Sequence, residues 1–133
     1  MSAKQIPLAE QLGRIPSKTR PIVKAAIKTV KQVAPKADEI AYKSEPPRSK
    51  SAMWKIVRYA EDGANVVGIG TFSNYAAIFF YRGRELDDGS GLLQGSGKDS
   101  RFITLQTPAD AEKPSVKRLI RKAFKLAGKR RER

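Results

Sequence analysis

The chain has 133 residues, 40% of them hydrophobic and 30% charged, with 27 Lys and Arg against 13 Asp and Glu and a net charge of +14. This length and balance suit one globular domain that buries roughly two thirds of its unfolded surface, and they argue against a disordered chain. There is no His and no Cys, so disulfides, thiol nucleophiles, His-based triads and Cys/His zinc sites are excluded.

The charge is polarised. Residues 1–50 carry a net +7, residues 51–112 a net −2 and residues 113–133 a net +9. A nearly neutral middle thus lies between two basic ends. The longest apolar runs, such as Ala76–Tyr81, fall far short of the ~20 residues that span a bilayer. The first sixteen residues lack the apolar core of a signal peptide. With no Cys, the expected location is the cytoplasm, and both a monomer and a homodimer fit the composition.

Residues 1–16, with Pro7 and Pro16, read as an N-terminal extension. Pro21–Ala34 reads as a helix, with Val23, Ala26, Ile27, Val30 and Val33 on one face and Arg20, Lys24, Lys28 and Lys31 on another. Pro21 suits a first turn and Pro35 a stop. Ala37–Tyr42 is expected to add a helical turn. Residues 44–50 are a loop by composition. The period then becomes strand-like over Met53–Ala60 and Asn65–Phe72, with Glu61-Asp62-Gly63 as the hairpin signal between them. Ser73-Asn74 turns the chain into a third strand, Tyr75–Tyr81, apolar nearly throughout and so covered on both faces.

Arg82–Ser100 reads as a long glycine-rich loop holding one helical turn. Arg101–Gln106 alternates as a fourth strand, Pro108–Lys113 links, and Pro114–Ala127 forms a last helix. Its apolar stripe is Val116, Leu119, Ile120, Ala123, Phe124 and Ala127. Lys117, Arg121, Lys125 and Lys129 run opposite, with Arg118 and Lys122 beside them. Gly128 is the expected C-cap and 128–133 a basic tail. The predicted fold is α+β: a four- to five-stranded antiparallel meander with N- and C-terminal helices packed on it, over residues 17–127.

Several stretches read together as one family. They are Ala34-Pro35-Lys36-Ala37-Asp38-Glu39-Ile40 after the first helix, Tyr75-Ala76-Ala77-Ile78-Phe79-Phe80, Arg84-Glu85-Leu86, Leu92-Leu93-Gln94-Gly95-Ser96-Gly97-Lys98, Arg101-Phe102-Ile103 and the basic last helix. Their order resembles the YdhG-like family, small bacterial domains of unknown function, over about residues 17–127. The resemblance implies an antiparallel sheet with helices packed against it. The family includes a frataxin-like iron chaperone, so iron binding is the alternative that the resemblance implies, while the expectation for this chain is no cofactor. Iron handling of that type relies on acidic surface, and only Glu85, Asp87 and Asp88, with Asp99 nearby, form an acidic group in this basic chain.

No nucleophile–base constellation is present, so a binding role is expected over an enzymatic one. The alternation around Glu85, Asp87 and Asp88 does not match an EF-hand loop. Gly95-Ser96-Gly97-Lys98 fails the phosphate-loop pattern, because Leu92 stands where the first glycine belongs and Asp99 follows Lys98. An anion nest on Lys98 and Arg101 is a weaker use of the same residues. Cationic helix faces attract polyanions, because each phosphate neutralised releases counterions. The residues singled out for nucleic acid or another polyanion are Lys24, Lys28, Lys31, Lys98, Arg101, Lys117, Arg121 and Lys125. A further reading is a small-molecule or anion site in a mouth formed by Trp54, Tyr75, Lys98 and Arg101. Aromatics of the strands serve base stacking only where they face outward beside Arg58, Arg82 or Arg101.

Overall fold

The computed structural model describes residues 7–42, 48, 52–86, 92–95 and 98–131, the last three without their side chains. Two helices precede the sheet, α1 (Leu8–Arg14) and α2 (Arg20–Val33). Strands β1 (Asp38–Ala41), β2 (Trp54–Glu61), β3 (Ala64–Thr71) and β4 (Ala76–Phe80) follow. A single turn, α3 (Gly83–Leu86), leads by way of residues 87–100 to β5 (Arg101–Leu105), α4 (Pro108–Ala111) and the long α5 (Pro114–Arg131). The strands form one antiparallel sheet in the order β1-β2-β3-β4-β5, a five-stranded meander within an α+β fold.

Local chemistry explains the hairpins. Asp62 and Gly63 both take positive φ, 51° and 81°. This is the two-residue turn whose twist matches the flanking strands, and it favours Asp-Gly. A row of β-branched side chains then runs straight across four strands. Val57 pairs with Ile69, Ile69 with Ile78, and Ile78 with Ile103, and each is at most 1% exposed. Val23 and Val30 of α2 and Val116 and Ile120 of α5 close the same core cluster. A register shift in β2 between Lys55 and Val57 places Ile56 in this core as well.

Three expectations are corrected. Asp38–Ala41 is an edge strand paired with β2 through Glu39↔Tyr59 and Ala41↔Val57. Backbone pairing along the open edge of β2 outweighs the local helical tendency. The described part of the expected extension, residues 7–16, does not simply trail from the domain, because α1 packs on β2, and Gln11 and the following Ile15 are buried. Arg20 explains its docking: the guanidinium donates from Nε to Leu12 O at 2.9 Å and from Nη2 to Ile15 O at 2.9 Å. These are carbonyls that the end of a short helix leaves free. Gly128 is no C-cap, since α5 continues to Arg131. The expected linker Pro108–Lys113 also holds an ordered turn. Thr107 Oγ1 accepts from Asp110 N–H, and Asp110 accepts from the Thr107 and Gln106 backbones.

Candidate functional site

Helices α2 and α5 lie on the same face of the sheet and touch each other. Both run from the Thr71 end towards the Glu61 end. At the start of α2, Thr71 Oγ1 donates to Thr19 Oγ1 at 2.8 Å, both side chains being buried. At its close, Lys31 Nζ lies 3.6 Å from Glu39, whose strand partner is Tyr59. Near the end of α5, Gly128 comes close to Glu61. Each helix turns its apolar stripe inward, so their polar sides form one outer surface over the sheet.

That surface is strongly basic. Residues 20–33 hold four Lys and Arg, residues 114–131 hold eight, and neither stretch has an Asp or Glu. Lys24, Lys28 and Lys31 are exposed on α2, and Arg121 and Lys125 are exposed on α5, with Lys117 half-buried beside them. Six of the eight cations singled out above are therefore brought to one layer. Arg20 is not a free member of it, because its guanidinium is spent on α1. Lys98 and Arg101 lie elsewhere, on the loop and edge strand beside α3. Arg101 Nη1 donates to Ser100 O at 2.8 Å, and its backbone packs so tightly on Gly83 that a Cβ there would collide with it. The supposed anion nest falls partly outside the described residues, Ser96 and Gly97 among them.

The mouth of Trp54, Tyr75, Lys98 and Arg101 does not exist. Trp54 pairs with Thr71, at one end of the sheet, and is only 7% exposed. Arg101 pairs with Phe80 at the other end, three strands away. Of the acidic group, Asp87 and Asp88 lie outside the described residues. Glu85 is held by Arg82, with Nε and Nη2 each 2.7 Å from its carboxylate oxygens. This pairing holds the Arg82 guanidinium more firmly protonated. Among the described residues no three Asp or Glu gather as a metal site.

The sheet face turned away from α2 and α5 has a different chemistry. Arg58, Gly68, Phe79 and Phe102 stand in one row across it, and Lys55, Gly70, Ala77 and Thr104 in the next. A Cβ on Gly68 would overlap the Phe79 ring, so glycine there lets the ring lie against the strand. Lys55 Nζ sits 5.4 Å from the Phe79 ring centre and the Arg58 guanidinium 5.0 Å from that of Tyr42. The Tyr42 and Tyr81 hydroxyls meet at 2.5 Å. Burial, then this hydrogen bond, pushes the Tyr81 phenol well above its ordinary value. Tyr59 is on the opposite, core face, donates to Glu39 at 2.7 Å and is pushed up chiefly by burial. Neither phenol ionises near neutrality, so neither is a base.

Sequence periodicity does not reveal the Tyr42–Arg58–Tyr81 group, because it reads Tyr42 as part of a helical turn. Glycines two apart, Gly68 and Gly70, were the available signal that something presses on that face. Comparison of the chain with protein-family models, with curated proteins and with solved structures gives no match. The function therefore has to be argued from this geometry.

Proposed function

We propose that this protein is a non-enzymatic binding module that holds a polyanion, nucleic acid in the first place, on the joint outer surface of α2 and α5. The supporting observation is that two acid-free basic helices pack side by side on one face of the sheet. Among the described side chains of that layer, the one ion pair is Lys31 with the exposed Glu39. An exposed pair of this kind is weak and opens readily. Contacts from flexible Lys and Arg to phosphates carry no base code, so the binding is weak and indifferent to sequence. The same proposal retains a YdhG-like domain working in the cytoplasm, supported by its α+β meander and its lack of Cys.

Fluorescence anisotropy with labelled oligonucleotides of unrelated sequence tests this. The logarithm of the association constant should fall linearly with the logarithm of salt, by about 0.9 per duplex phosphate engaged. Lys117→Glu with Arg121→Glu should abolish binding while leaving the melting curve intact. An affinity that ignores salt, or one carried by a single base sequence, contradicts the proposal.

A further inference from the structure

The basic layer of α2 and α5 turns no aromatic ring outward. Residues 20–33 contain no Phe, Tyr or Trp, and residues 114–131 contain only Phe124, which is buried in the core. The aromatic side chains that keep some exposure stand elsewhere. Tyr42, Tyr81 and Phe102 accompany Arg58 on the far face of the sheet. Phe72 and Tyr75 stack on each other at the turn after β3, with ring centres 4.7 Å apart. The segments outside the described residues contain no Phe, Tyr or Trp, so they bring no ring to this layer either.

This absence discriminates between polyanions. A flexible single strand loses freedom when it is laid on a surface. Proteins that hold one offset the loss by stacking its bases on aromatic side chains. The α2–α5 layer gives an unstacked base nothing to lie on. A duplex keeps its bases stacked within itself and needs only cations at its phosphates.

The spacing of charge points the same way. At about 1.5 Å per residue, Lys24, Lys28 and Lys31 extend over roughly 10 Å of α2, and Lys117, Arg121 and Lys125 over roughly 12 Å of α5. Packed helices lie about 8–10 Å apart, so the two rows form a patch about as wide as it is long. Over about 12 Å a duplex carries roughly seven phosphate charges, and one of its strands only three or four. Two rows of three cations therefore suit both strands together and exceed what one strand offers.

We infer that the partner of this layer is a nucleic-acid duplex, gripped through the phosphates of both strands by the cations of both helices. The inference rests on the polyanion reading and narrows it to double-stranded partners. DNA and RNA duplexes share the phosphate chemistry.

Fluorescence anisotropy at matched salt tests it, with a short DNA duplex of mixed sequence, the RNA duplex of the same sequence and the component single strands as probes. At least one duplex should bind about tenfold or more tightly than either of its strands, and the tighter duplex names the sugar. Neutralising part of one row removes about two phosphate contacts. Lys24→Gln with Lys28→Gln and, separately, Lys117→Gln with Arg121→Gln should each lower the salt slope for the duplex by about 1.8, with thermal melting confirming that both variants fold. Strands bound as tightly as duplexes would overturn this inference and leave the polyanion proposal standing. A slope lowered by only one of the two variants would also overturn it, because a single helix would then make the contacts. Binding of nucleic acid in no form would remove the polyanion proposal and this inference with it.

Discussion

Thr29 shows how a single atom can carry a cost that composition hides. It sits on α2, is fully buried, and its hydroxyl has no hydrogen-bond partner. A buried unsatisfied hydroxyl loses its water without recompense. Valine has the same branched shape without the hydroxyl. Thr29→Val should therefore stabilise the protein by about 1 kcal/mol, read as a higher denaturant midpoint at unchanged slope. A lower midpoint would mean that the hydroxyl is satisfied in solution. Thr19 and Thr71 show the contrary case, since they are equally buried but bonded to each other. Nothing in the local sequence separates Thr29 from these two. The difference lies in what the rest of the fold places opposite each hydroxyl.

At the scale of elements, the helix ends decide which short segments are ordered. Arg20 holds α1 by its last carbonyls, so Arg20→Met should cost about 1.5–3 kcal/mol, the range for hydrogen bonds from a charged donor. Amide exchange should speed up in α1 more than in α5; unchanged exchange in α1 would show that packing alone holds it. The turn at α4 has its own pH signature. Asp110 is held below its ordinary value, first by the Gln106 backbone N–H and further by Lys113 and the Thr107 N–H. A depressed carboxyl stabilises the fold above its unfolded pKa, about 3.9. That contribution is lost as pH falls through the lower folded value. Asp110→Asn should accordingly flatten the decline of stability below about pH 5, measured by denaturant unfolding at stepped pH. An unaltered acid limb would exclude Asp110 as its source. The period-based reading found α2, α5 and β2 to β5 to within a few residues, because each has a clear apolar repeat. It missed α1 and β1. Both are short, and both owe their form to partners, the Arg20 guanidinium and the edge of β2.

For the whole molecule the central issue is whether charge is gathered or scattered. Twelve Lys and Arg of residues 20–33 and 114–131 belong to two adjoining helices, while Lys55 and Arg58 stand on the other sheet face. Lys24→Glu with Lys28→Glu should weaken oligonucleotide binding as much as Lys117→Glu with Arg121→Glu. Lys55→Glu with Arg58→Glu changes net charge equally but should have the smaller effect, seen in anisotropy at matched salt. Equal losses in all three variants would mean that net charge alone attracts the polyanion, and that no surface is selected.

The amino-acid order by itself determined the α+β class, the Asp62-Gly63 hairpin, the inward stripes of both long helices and the want of thiol and imidazole chemistry. These follow from residue type and spacing along one chain, which local sterics and burial translate directly into helices, strands and turns. Tertiary structure alone decided that α2 and α5 share a face, that Trp54 and Arg101 stand at opposite ends of the sheet, and that Tyr42, Tyr81 and Phe102 gather on the face away from the basic helices. Those are relations between segments far apart in the chain. They depend on strand order, register and helix docking, which no local period encodes.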